Sequence, residues 1–234
     1  MNRFRLQKVG FALCAAFATT LLTPQTTNAS GILYQFDTPF PGDPNPAGSN
    51  PWLDASFQNV SGGVLLTVTN LGLTTGEFLN GNGNGANGGL FFNINPADNV
   101  NNLVFTLQYA NGTFGTSINQ GENSFKADGD GKYDIVFDFT PGAFTAGSSF
   151  SYLITGISGL TANDFAYLSA STPGESGPFY AAAHVAGIPG GQSTWLEPDL
   201  GPLAIPVPEP SSAGLLLVGM GAWGAFRQWR KRKI

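Results

Sequence analysis

The sequence predicts an all-β protein, a single jelly-roll-like β-sandwich, on three observations. Apolar residues alternate with polar ones in short runs, which is the period of a strand with one buried face. Gly 32 and Pro 16 make up about a fifth of the 234 residues and fall between those runs, where turns belong. Charged residues are only 11% of the chain, against roughly 25% in ordinary soluble domains, so the Glu and Lys that build helical bundles are scarce. The hydrophobic fraction of 42%, with Phe alone at 19, also excludes a disordered chain.

In chain order, the strand candidates are Ile32–Asp37, Trp52–Asn59, Val64–Thr69 and Leu90–Ile94. They continue with Leu103–Tyr109, where the odd positions are apolar, and Tyr133–Phe139, with Asp134 and Asp138 on the outer face. Phe150–Ile154, Phe165–Ser169 and Phe179–Ala186 complete the set. Nine or ten short strands at this spacing fit one sandwich, and a segment of this length buries a core without disulfides. The tract Asn80–Gly89 alternates Asn and Gly, both tolerant of positive φ, and predicts a long hairpin tip. Its resemblance to a calcium-binding nonapeptide repeat lacks the aspartates and the repetition.

The flanking segments differ in kind from the middle. Residues 1–29 read as a cleaved secretory signal peptide: Arg3, Arg5 and Lys8, an apolar run from Val9 to Leu22, Pro24, and Thr27-Asn28-Ala29 as the cleavage site. Cys14, the only cysteine, lies in that segment, so the mature chain from Ser30 offers no disulfide, thiol nucleophile or thiolate ligand. Residues 207–234 carry Pro208-Glu209-Pro210, an apolar segment over 211–226, and a basic tail, Arg227, Arg230, Lys231, Arg232 and Lys233, over 227–233. The apolar segment is short for a span of about 20 residues but is followed by a stop-transfer cluster, which predicts a short transmembrane helix with its basic end in the cytoplasm.

Between these addresses, residues 30–206 form the predicted ectodomain. Fourteen of the fifteen acids fall in it against two lysines, Lys126 and Lys132, a balance of 2 minus 14, or −12. Such a surface repels polyanions and excludes nucleic acid as a partner.

The C-terminal arrangement closely resembles the PEP-CTERM sorting signal of exopolysaccharide-producing Gram-negative bacteria, also catalogued as an ice-binding protein C-terminal domain. Val207–Lys233 contains all three parts: the Pro-Glu-Pro triplet, the apolar stretch and the basic tail. The resemblance implies recognition in trans by an exosortase, cleavage near Pro208–Pro210, transient residence in the inner membrane and delivery to the cell surface or beyond. The alternative is an ordinary single-pass anchor. Ala181–Ile188 with the following Gly190–Trp195 also resembles a stretch recurrent near the end of PEP-CTERM ectodomains, a likeness that brings no activity with it. Ice binding is not implied by the tail, and Thr67-Val68-Thr69 is the single clean Thr-x-Thr in a strand.

Three chemistries compete within the ectodomain. Asp128, Asp130 and Asp134 flank a glycine turn at relative positions 1, 3 and 7, a spacing that suits Ca²⁺ and its six to eight oxygens. Lys132 at the fifth position and Phe139 at the twelfth depart from an EF-hand loop, and an acidic turn feeding a strand is the alternative. The carboxylates Asp134, Asp138 and Glu175 are nominal glycosidase candidates, but their separation is not readable from sequence. His184 is the only histidine, with no Gly-x-Ser-x-Gly elbow to serve, and reads as a strand residue satisfied by a neighbour. Trp52 and Trp195 are candidates for stacking on sugars or for the core. The sequence thus predicts a non-enzymatic structural or adhesive component of the exopolysaccharide matrix. A secreted polysaccharide-active hydrolase and a Ca²⁺-dependent carbohydrate-binding module are the alternatives.

Overall fold

The computed structural model describes residues 31–81, 88–128 and 130–205. The described chain is almost entirely strand, in the order β1 (Gly31–Phe36), β2 (Thr38–Pro39), β3 (Leu53–Val60), β4 (Gly63–Asn70), β5 (Phe78–Leu79), β6 (Leu90–Phe92) and β7 (Val104–Ala110). There follow β8 (Ser117–Ala127), β9 (Asp130–Asp138), β10 (Phe144–Thr145), β11 (Ser149–Thr155), β12 (Ala181–Ile188), β13 (Gln192–Glu197) and β14 (Leu203–Ile205). Two 3-10 turns, Val100–Asn102 and Ala162–Phe165, are the helical elements among the described residues. The predicted signal peptide and transmembrane helix lie outside the described residues.

The strands form two antiparallel sheets, as the alternation predicted. The first is six-stranded in the order β14-β1-β3-β4-β11-β7. In it Val64, Leu66 and Val68 of β4 point inward while Leu65, Thr67 and Thr69 are half-buried on the other face. The second sheet has eight strand segments. β5 and β6 follow one another along one side of β12, and β10 and β9 follow one another beyond them, so the eight segments make six columns: β2, β13, β12, β5/β6, β10/β9 and β8.

Aromatic rings fill the space between the sheets. Phe57 of the first sheet meets Phe92 of the second edge-on at 5.1 Å and stacks on Phe165 at 4.5 Å. Burial of each such side chain contributes about 1.5–3 kcal/mol. Tyr34, whose ring is fully buried here, donates its hydroxyl hydrogen to the Phe165 carbonyl at 2.7 Å, so the one polar atom it carries inward is satisfied.

Several expectations change. The strands flanking the Asn-Gly tract, whose residues 82–87 lie outside the described residues, do not pair with each other as a hairpin. Phe78 and Leu79 pair with Ala186 and Val185, and Leu90 resumes the same ladder at Ala183, so one strand is interrupted and then continues in the same direction. His184 bridges the gap: its N–H donates to Gly89 O and its carbonyl accepts from Asn80 N, each at 2.9 Å. The predicted strand Phe165–Ser169 is a 3-10 turn followed by irregular chain. Thr161-x-x-Asp164 is a capping box in which the Asp164 carboxylate accepts from Thr161 N at 2.8 Å, and this fixes a helical turn instead. Leu103–Tyr109 loses its alternation at a bulge opposite Ser151/Tyr152, after which Ala110, not Tyr109, takes the inner side. The longest strand, β8, had no apolar alternation to announce it.

The outer face of the second sheet is also covered. Phe40, Phe91, Tyr133, Val136, Ala182 and Trp195 form a second apolar layer there, with Phe179 against Phe40 at 4.4 Å. Asp134 and Asp138, on the same strand as Val136, are buried as well.

Candidate functional site

The sorting residues Pro208, Glu209 and Pro210 and the tail residues Arg227, Arg230, Lys231, Arg232 and Lys233 lie outside the described residues. β14 ends at Ile205, immediately before that region.

The acidic turn joins β8 to β9. Ala127 pairs with Asp130, which leaves Asp128 in the connection with a left-handed φ of 49°, a conformation that Asp tolerates. Asp130 opens β9, and Asp134 stands four residues along it, past Gly131, whose φ of 72° is not that of a regular strand. The hairpin therefore spreads the three aspartates along its length. Among the described residues, no group of three His, Cys, Asp or Glu side chains is arranged to hold a metal ion.

Asp134 has a different partner set. Gln120 pairs with Ile135 and Phe125 with Tyr133, so the four residues Gly121–Ser124 stand opposite Asp134 alone. This wide bulge turns through Asn123, whose φ is 48°, and brings the Asn123 N–H to the Asp134 carboxylate at 2.8 Å. The second carboxylate oxygen accepts from Ile94 N at 3.1 Å, just past the end of β6. One side chain thus replaces two ladder partners where both strands leave the sheet. Burial pushes the Asp134 carboxyl above its usual range; the two backbone hydrogen bonds oppose this, and Glu122 nearby adds to it.

The same departure opens a cleft of about 250 Å³, lined by Asn93, Asp98, Glu122, Asp134, Tyr167 and Leu168 among others. Its parts come from five segments: the end of β6, the turn at Asp98–Val100, the β8 bulge, Asp134 of β9 and the chain after the second 3-10 turn. Asn93 is buried, and its amide is held by donation to Tyr180 O at 3.2 Å. Tyr167 and Leu168 are 37% and 48% exposed, giving the cleft an apolar lip. Neither lysine lines it. Only Asp134 of this set was singled out by sequence; the Gly-Glu-Asn-Ser break inside β8 is the local signal that marks the bulge.

The other candidates settle into the frame. Trp52 and Trp195 are buried, so neither presents a ring to solvent. His184 stacks on Trp195 at 4.6 Å and 15°, and its Nδ1 lies 3.4 Å from the Asn80 amide. Burial pushes its imidazole below the ordinary value, with Asp43 pulling the other way. Asp43 itself accepts from Trp195 N at 2.8 Å. Glu175 pairs with Lys126 at 2.6 Å. Asp134 and Asp138 are four residues apart on one strand, about 13 Å, beyond the roughly 5–10 Å that paired glycosidase carboxylates need.

Comparison with known proteins is informative at one end of the chain. Residues 206–233 match the PEP-CTERM protein-sorting motif, which marks exported, membrane-processed proteins for recognition by an exosortase. No curated protein and no solved structure matches the chain.

Proposed function

With an exosortase sorting motif at its C-terminus as premise, we propose that the sandwich is a non-catalytic component of the extracellular polysaccharide matrix that holds a neutral sugar in the Asp134 cleft. The observation that carries this reading is the cleft's composition. Asp98 and Glu122 offer hydrogen-bond acceptors to sugar hydroxyls, Tyr167 offers a ring face, and no cation lines the wall to attract an anionic substrate. The domain's balance of fourteen acids against two lysines likewise disfavours anionic polysaccharides.

Against hydrolysis at Asp134 stands that both its oxygens accept backbone N–H groups, which commits that carboxylate to holding the bulge. The test is titration of the processed protein against neutral and uronic-acid-containing oligosaccharides, with Tyr167→Ala beside it. Saturable binding of neutral sugars, weakened at least about tenfold by Tyr167→Ala, a loss of 1.4 kcal/mol or more, is expected. Release of new reducing ends would move the assignment to the hydrolase class, and absence of sugar binding would remove the reading.

A further inference from the structure

The first sheet ends in a strand with nothing beyond it among the described residues. β7 pairs with β11 on one side, so main-chain N–H and C=O groups along its other side face outward. Val104, Leu107 and Tyr109 on it are 52%, 54% and 54% exposed. Edge strands are commonly blunted by Lys, Pro or inward-pointing charge, and β7, Val-Phe-Thr-Leu-Gln-Tyr-Ala, has none of these. Its bulge at Gln108 leaves Val104–Leu107 in regular register. Beside it a groove of about 250 Å³ opens between the sheets, lined by Leu107, Ala110, Phe114, Phe150 and Tyr152 among others, so apolar surface runs from the edge strand to the core.

Charge selects the partner. No charged residue occurs between Asp98 and Glu122, or from Phe139 to Asn163, and β7, β11 and the groove all fall within these two tracts. The rest of the domain is acidic, so two copies that meet across the second sheet bring carboxylates together, whereas two copies that meet at β7 do not. A cationic partner is drawn to the acids and finds none on this edge. We propose that β7 pairs antiparallel with β7 of a second copy of this chain, joining two six-stranded sheets into one continuous sheet. Position on the sheet suits the pairing. β14, from which the sorting motif departs, is the opposite edge, five strand spacings or about 24 Å away. The pairing strand therefore lies at the edge opposite the strand that precedes the sorting motif.

Cys14 is the chain's only cysteine, so introduced cysteines report alone in a full-length Cys14→Ser chain exported to the cell surface. Val104→Cys, Thr106→Cys, Leu107→Cys and Tyr109→Cys are oxidised one at a time, with Leu200→Cys, at a site 76% exposed, as the control. The expected result is a disulfide-linked dimer, strongest at the one or two β7 positions nearest the twofold axis and at least about tenfold weaker at position 200. No cross-link at any β7 position, equal cross-linking at position 200, or cross-links only to a different protein would overturn the proposal. Leu107→Lys added to the best cross-linking variant places like charges at the seam. It should abolish the dimer while the melting curve stays in place, because the site is exposed; a dimer that survives it overturns the proposal as well.

Discussion

Gly31 and Ile205 are direct partners on the ladder between β1 and β14. The first residue of the first strand thus lies beside the last residue of the last strand, although the whole sandwich separates them in sequence. Whatever precedes Gly31 and follows Ile205 leaves the fold at one point, at the edge of the first sheet. Both ends of the sandwich, including the one that carries the matched sorting motif, are therefore presented on the same corner.

That corner places the Pro-Glu-Pro triplet immediately beyond a three-residue strand. Replacement of Pro208, Glu209 and Pro210 by alanine should leave the cell-associated protein at precursor mass. Intact-mass measurement on membrane and released fractions reads this, and unchanged processing would rule out exosortase recognition.

Asp134→Ala removes the acceptor of two backbone N–H groups at the bulge, those of Asn123 and Ile94. A loss of about 2–4 kcal/mol in urea unfolding is expected, because each donor is left without its partner in a partly buried place. Asp134→Asn keeps one acceptor and should fall between wild type and alanine. Equal stability of all three would show that water replaces the carboxylate freely.

His184 sets a pH dependence with a definite sign. Burial lowers its folded value below the ordinary 6.5, so the unfolded chain takes up a proton first as pH falls. The stability associated with the neutral ring is complete above about pH 6.5 and declines as pH drops from there through the lowered folded value, by at most about 1.4 kcal/mol per pH unit. His184→Gln should flatten that part of the profile in urea titrations between pH 7.5 and pH 5, since glutamine offers Asn80 an acceptor without a titration. A slope that persists in the variant would assign it to the carboxylates.

Calcium should leave the melting temperature unchanged relative to a chelator control, because the hairpin holds Asp134 well away from the turn that carries Asp128. A rise of several degrees would show that the hairpin closes on the ion.

The fold class was legible because β3 and β4 bury alternate residues, as Leu53, Ala55 and Phe57 do in β3. β8 was not, since Ser-Ile-Asn-Gln-Gly-Glu-Asn-Ser-Phe-Lys-Ala lies at an edge, buries little and is held by main-chain pairing to β9. The burial of Asp134 and Asp138 is not legible in the sequence because period two separates the faces of a strand without saying what meets them; Asp134 is met by Asn123 of the β8 bulge and by Ile94 beyond β6. The cleft was out of reach for a related reason. Its wall is assembled from five separate segments, and only their meeting at Asp134 makes one surface of them.

The interrupted strand opposite His184 has a consequence for how such a chain can vary. The Asn80 N–H donates to the His184 carbonyl and the Gly89 carbonyl accepts from the His184 N–H, which closes the ladder on either side of the gap, so pairing resumes in register. Length changes at that point leave the alternation of Leu79 and Leu90 intact, whereas an insertion of one residue elsewhere in the strand would turn its buried side chains outward. The register of this strand is thus carried across the gap by one residue of β12, so His184 is a seam that the sheet closes from both sides.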